Sequence, residues 1–209
     1  MVREITITWP RRRAYSNVLQ FKITLLETDP PVWRRIQVPD SYTFYDLHVA
    51  TQDAMGWLDS HLHDFKIQPR RRACLDIRIE SPFALDDLEE AAPLLTTEVA
   101  VADFIQEPGD RALYTYDYGD GWQHDVLFEG TYPKEPGKKY PVCLAGELAG
   151  PPEDCGGIPG YYDCIKALKN GDNSEGLLDW LGRWRPDRFD PAKVKFWSPL
   201  RRLKMALED

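Results

Sequence analysis

Apolar and polar positions alternate with period two along much of the chain. Phe21, Ile23 and Leu25 share one face, and Gln20, Lys22 and Thr24 the other, which predicts a strand over residues 18–26. Glu27-Thr-Asp-Pro-Pro31 is a turn whose prolines fix φ, and residues 32–38 return as a second strand closed by Pro39-Asp40. The period then lengthens. Leu47, Ala50, Ala54 and Met55 recur at helical spacing behind Thr43 and Asp46, a capping-box pair, and Gly56 is placed to end the helix. Alternation resumes at His61, His63 and Phe65 against Leu62, Asp64 and Lys66, which puts both histidines on one strand face. Residues 69–73 read as a basic loop and residues 74–80 as a strand. Tyr114, Tyr116 and Tyr118 alternate with Leu113, Thr115 and Asp117. After the turn signal Gly119-Asp120-Gly121, Trp122, His124, Val126 and Phe128 alternate with Gln123, Asp125, Leu127 and Glu129. This predicts a β-hairpin with titratable groups near its tip.

The remaining segments frame these elements. Residues 1–17 read as an N-terminal arm, and residues 81–97 as an acidic, proline-punctuated insertion with a helical piece at 84–92. A short strand is expected at 98–101 and one helical turn at 102–105. So many glycines and prolines crowd residues 140–162 that no long regular element fits there, and such a segment inside a compact domain is more often functional than not. Helices are expected at 162–169, at 176–184, from an Asp190 cap with Pro191 to about residue 197, and at 200–207. The pattern predicts one α+β domain over residues 18–209. A mainly antiparallel sheet would carry an early ββα unit of β-grasp-like layout, the central hairpin and a helical C-terminal segment, 162–209.

Composition narrows the function classes. The chain has 209 residues, 43% of them hydrophobic, enough for a sizeable core. Its net charge of −8 disfavours non-specific nucleic-acid binding, although the runs Arg11-Arg12-Arg13 and Arg70-Arg71-Arg72 are local exceptions. The four cysteines, Cys74, Cys143, Cys155 and Cys164, form no C-x-x-C pair. No stretch resembles a signal peptide or a membrane span. The expectation is a cytoplasmic protein with reduced thiols, whose partner is another protein or a small ligand rather than a membrane.

Three blocks carry a resemblance. They are Pro30-Pro-Val-Trp-Arg-Arg-Ile-Gln-Val-Pro39 with Asp46-Leu-His48 and Gly56-Trp57; Tyr116-Asp-Tyr-Gly-Asp-Gly-Trp-Gln-His124; and Pro151-Pro-Glu-Asp-Cys-Gly-Gly157 with Gly160-Tyr161. Together they resemble the Ri-plasmid ORF-three-like family, whose members also go under a resolvase-like label as passenger proteins of insertion elements. The match runs from about residue 18 to residue 162, and more loosely through the C-terminal helices. It implies a compact α+β domain associated with mobile elements, and it implies no established enzymatic activity. The resolvase label is not carried over, because no serine or tyrosine nucleophile sits among arginines here.

Candidate chemistry gathers in three places. His61, His63, Asp117, Asp120 and His124 could hold zinc, manganese or iron, with His61, His63 and His124 as imidazole ligands, or do metal-free acid–base work. They could equally be a polar network, with Asp120 capping the turn and Asp117 orienting His124 or accepting from Trp122. Cys143, Cys155 and Cys164 lie near Glu153 and Asp154. Cys155 before Gly156-Gly157 could be a thiolate nucleophile paired with His61, His63 or His124, or Cys143 and Cys155 could join a zinc site; small buried cysteines are the structural alternative. Arg34 alternates with Trp33 and Arg35, which fits either a buried arginine paired with Glu153 or Asp154, or an edge strand with solvated arginines. His48 reads as a partly buried, hydrogen-bonded helix histidine, and Trp180, Trp184 and Trp197 as packing anchors.

The candidate catalytic residues are thus His124, Asp117 and Cys155. The candidate cleft is His61, His63, Asp117, Asp120, Trp122, His124, Glu153, Asp154 and Cys155. No cofactor is firmly implied, though a divalent metal suits the residue types. The leading expectation is a non-catalytic binding or interaction domain. The alternative is a metal- or cysteine-dependent hydrolase using the same cleft, and a weaker one is a nucleic-acid accessory protein acting through the arginine runs.

Overall fold

The structure, a computed structural model, describes residues 14–68, 77–84, 93–174 and 176–208. Both arginine runs, Cys74, most of the N-terminal arm and the helical piece expected at 84–92, save Ala84, lie outside the described residues. In chain order the elements are β1 (Asn17–Leu25), β2 (Trp33–Pro39), α1 (Phe44–Met55), β3 (His63–Gln68), β4 (Ile77–Glu80), β5 (Leu94–Leu95), α2 (Val101–Phe104), β6 (Arg111–Tyr116), β7 (Trp122–Pro133) and β8 (Val142–Glu147). The helices α3 (Gly157–Asn170), α4 (Leu177–Leu181) and α5 (Pro199–Glu208) follow.

One eight-stranded sheet runs β5-β4-β3-β6-β7-β1-β2-β8, antiparallel at every step except β4 to β5. The expected ββα opening and the central hairpin are both present. The period-two pattern has its physical consequence in β1, where Phe21, Ile23 and Leu25 are all buried. Facing residues from β6 and β7, Tyr114, Tyr116, Trp122, His124, Val126 and Phe128, are buried as well. Phe21 and Phe128 are cross-strand partners with ring centroids 5.4 Å apart. Each such aromatic or branched side chain contributes about 1.5–3 kcal/mol through burial.

α1 covers this core with Phe44, Leu47, Ala50 and Ala54. Its start is the expected capping box: the Asp46 amide donates to Thr43 Oγ1 at 3.2 Å, and the Thr43 amide donates to Asp46 Oδ2 at 3.0 Å. Gly56, at φ 90, ends the helix.

Several expectations need correction. The strand Trp33–Pro39 is not an edge, because β8 pairs with it. Arg34 is buried but has no carboxylate partner among the described residues; it donates to the carbonyls of Ala54 (2.7 Å), Trp33 (2.7 Å) and Glu147 (2.9 Å) and stacks on Phe189 at 3.6 Å. Burial pushes its guanidinium down to about 10. Arg35, on the other face, pairs with Glu129 at 2.7 Å. The acidic insertion ends in β5, so part of it belongs to the sheet.

Residues 140–162 contain β8 and the start of α3, regular elements not foreseen there. Asp190 does cap its turn by accepting from the Ala192 amide, but only the short 3-10 turn Pro191–Lys193 follows. Trp184 is anchored through its indole N–H to Gly150 O at 2.8 Å, whereas Trp180 and Trp197 are exposed and are not core anchors. Among the described residues, no helix is long and apolar enough to cross a membrane.

Candidate functional site

The hairpin tip is organised by Asp117, which has φ 55. Its Oδ1 accepts from the amides of Gly119 (2.9 Å) and Asp120 (3.3 Å), its carbonyl accepts from Gly121 N (2.6 Å), and its own amide donates to Leu62 O (2.9 Å). The turn is therefore capped by Asp117 and not by Asp120, since only the residue two positions ahead of the first unpaired amide can reach it. Asp120 has another task. Its Oδ2 accepts from Gly156 N at 3.1 Å, and Gly157 lies against its carbonyl so closely that a Cβ would sit 2.6 Å from that oxygen. Gly157 also has φ 68, so only glycine fits, and the 151–157 loop docks flat on the tip.

That docking carries Asp154 to His61. His61 Nε2 is 2.7 Å from Asp154 Oδ1 and 3.6 Å from Asp117 Oδ2. Burial works to lower the pKa of this imidazole, but the hydrogen bond to Asp154 and the charges of Asp117, Asp154 and Glu153 outweigh it and raise it above its ordinary value. Asp154, like Asp117, has φ 55. Glu153 is spent on structure: Oε2 accepts from the Leu58 amide at 2.7 Å, and Oε1 accepts from the Tyr116 hydroxyl. The Trp57 indole N–H donates to Pro151 O at 2.9 Å, and its ring stacks on Tyr116. The 57–63 segment is thereby clamped between loop and hairpin.

His63 does not share a face with His61. His61 sits at a bend and residue 62 is irregular, so the period-two count starts only at His63, the first residue of β3. His63 points inward and stacks on His48, with ring centroids 3.5 Å apart and planes 10° from parallel. Burial and the neighbouring His48 lower the pKa of His63 well below the usual imidazole value. His48 is fully buried rather than partly so. Its Nε2 is 2.6 Å from Asp59 Oδ1, and its Nδ1 is 2.7 Å from the Tyr114 hydroxyl. Gln52 closes the network by donating to Tyr114 Oη at 2.9 Å and accepting from the Asp59 amide at 3.1 Å. His48 and Asp59 were not among the candidate cleft residues. The available signal was Phe44, His48 and Gln52 on one helical face, which requires partners for two polar side chains once that face is buried.

Two catalytic candidates do not join His61, Asp117 and Asp154. His124 obeys strand parity and is fully buried between Trp57 and Tyr114, at ring distances of 5.4 and 5.2 Å, with no well-formed hydrogen bond to either nitrogen. Burial pushes its imidazole down to about 3, and the backbone at Tyr114 and Trp122 offsets only part of that. Trp122 is likewise buried, against Trp57. Cys155 is half-buried, and burial, with Cys164 and Asp120 nearby, pushes its thiol up to about 12, the opposite of an activated nucleophile. Cys143 sits in β8 beside Arg34 and, among the described residues, forms no metal-ligand set with Cys155.

Among the described residues, two groups have ligand atoms within 4.8 Å of one another: His61, Asp117 and Asp154, half open to solvent, and His48, Asp59 and His63, mostly buried. Neither contains His124 or a cysteine. A pocket of about 550 Å³ opens beside them, lined by Tyr45, Asp59, Ser60, His63, Ser81 and Phe83 among others.

Known proteins share this framework. An uncharacterised protein of Sinorhizobium fredii, y4hQ, is 32% identical over 185 residues, covering 87% of this chain and 88% of its own. A crystal structure of a protein of unknown function from Methanosarcina mazei Go1 superposes with a TM-score of 0.77 at 35% identity, covering 88% of this chain and 99% of that one. The family profile described as plasmid pRiA4b ORF-3-like protein matches residues 17–194, a span that contains every block behind the resemblance and both histidine clusters, and the chain belongs to that family.

Proposed function

We propose that this protein is a non-catalytic binding domain whose recognition surface is the corner where the hairpin tip, the 57–63 segment and the 151–157 loop meet. The observation that carries this reading is the convergence of His61, Asp117 and Asp154, from three separate parts of the chain, while His124 is fully buried and the Cys155 thiol is pushed up to about 12. One imidazole faces two carboxylates there, so the corner suits a cationic group, an ammonium or guanidinium presented by a protein partner or a small ligand. Leu58 and Tyr118, both exposed, add apolar surface beside it. The positive φ of Asp117 and Asp154 supports preorganisation, because non-glycine residues persist in that region only where their surroundings hold them. Association with mobile elements is part of this proposal through the family alone.

The second reading is a metal-dependent hydrolase. It draws on one observation, that the same three side chains lie within metal-ligating reach of each other. Two-dimensional NMR titration with lysine- and arginine-bearing peptides separates the two. Amides of residues 58–62, 117–121 and 153–157 are expected to shift together, and Asp154→Ala to abolish the shifts. Absence of any shift at millimolar peptide removes the cationic-ligand reading. Metal-stimulated hydrolysis of ester or phosphoester probes that His61→Ala abolishes would replace binding with catalysis.

A further inference from the structure

We propose that His48, Asp59 and His63 form a binding site for a divalent transition metal of the zinc class, distinct from the surface corner and independent of the binding role assigned to it. Two imidazoles and one carboxylate are a donor set that zinc and its neighbours accept, with the remaining position left to water or a ligand. The three ligand atoms lie within 4.8 Å of one another. The two rings stack 3.5 Å apart with planes 10° from parallel, so ion binding requires one imidazole to turn until both in-plane nitrogen lone pairs meet at the metal. Asp59 Oδ1 is 2.6 Å from His48 Nε2, so ion entry replaces that hydrogen bond and opens the pair by under about 1 Å.

The surroundings are those of a supported site. A histidine that ligates through Nε2 keeps its proton on Nδ1 and needs an acceptor there; Tyr114 Oη, 2.7 Å away, is that acceptor. Gln52 fixes the Tyr114 hydroxyl and the Asp59 backbone together. An independent observation points to something bound in front of the cluster. Tyr45 is fully buried, lines the same pocket as Asp59 and His63, and its hydroxyl has no hydrogen-bond partner among the described residues. A buried hydroxyl left unpaired costs about 1–3 kcal/mol, and a metal-bound water or ligand atom in the pocket would answer it. The pocket also supplies the entry path and the open coordination position that a fully closed structural site lacks.

The test uses full-length protein purified without a metal-affinity step, stripped with chelator and titrated with Zn²⁺ and Co²⁺. One equivalent of either ion is expected to bind, and Co²⁺ to give the visible absorption of a four- or five-coordinate centre. Asp59→Asn keeps a residue that tolerates φ 64. It and His63→Gln should each weaken binding by more than the ~10–100-fold that loss of a supporting partner costs. His61→Ala and Asp154→Ala should leave the affinity and the Co²⁺ spectrum unchanged. Should Asp59→Asn and His63→Gln fail to fold, the wild-type Co²⁺ spectrum and the two surface variants still decide the matter. No stoichiometric binding by the wild type overturns the proposal. So does binding retained in folded Asp59→Asn and His63→Gln, and so does binding lost in His61→Ala or Asp154→Ala, which would assign the ion to the surface corner.

Discussion

The two histidine–carboxylate clusters use the same residue types and are interleaved over five residues of chain, yet they obey different physics. His61 meets Asp154 at a corner where the partner carboxylate is 66% exposed, and its order comes from backbone docking of the loop on the hairpin tip. His48, Asp59 and His63 meet under α1, where each hydrogen bond replaces one that water can no longer supply. The first arrangement contributes little to stability and leaves its groups free for a partner. The second is expensive to disturb, because removing one member strands the others in a low-dielectric interior.

His48→Ala therefore gives the largest expected effect. It leaves Asp59 and Tyr114 without their shared partner and should destabilise the fold by about 3–5 kcal/mol, against less than about 1 kcal/mol for His61→Ala, both measured by denaturant unfolding. Similar losses in the two variants would break the comparison. Gly157→Ala comes next. The new Cβ meets the Asp120 carbonyl at a positive φ, so a loss of about 2 kcal/mol is expected. Amide shifts should be confined to the tip and the loop, with those of His48 and His63 unmoved.

Acid sensitivity sharpens the contrast from the side of His124. Its folded value of about 3 lies below the ordinary 6.5 of an unfolded chain, so the unfolded state takes up a proton first as pH falls. Stability is lost from pH 6.5 downwards, by about 2 kcal/mol at pH 5. His124→Leu should remove that share of the difference between unfolding curves at pH 7 and pH 5. The smallest effect belongs to Asp154→Ala, expected to cost about 1 kcal/mol, because alanine tolerates φ 55 less well than aspartate, while abolishing the peptide-induced shifts at the corner.

Parity explains how much of this could be read in advance. From Trp122 to Phe128 the strand count held, so the inward set was correct, and His124 was buried by the same rule that made it visible as a candidate. Between His61 and His63 the count failed, because His61 sits at a bend before β3 begins and period two holds only along extended backbone. The capping box at Thr43 and Asp46 was legible because both partners are three residues apart. The partners of Arg34 were not, because they are backbone carbonyls that β8 and the end of α1 bring to it.

By itself, the sequence determined the alternating strands, the capped first helix, the hairpin with its Gly-Asp-Gly turn and the family. All of these rest on interactions within a few residues, or on motifs read whole. Only the tertiary structure decided that Asp117 and not Asp120 caps the turn, that His61 and His63 serve different clusters, and that His124 is fully buried while the half-buried Cys155 thiol is pushed up to about 12. Those outcomes depend on which segments dock at long range and how much water they exclude, and burial and charge at a site are sums over neighbours that are remote in the chain.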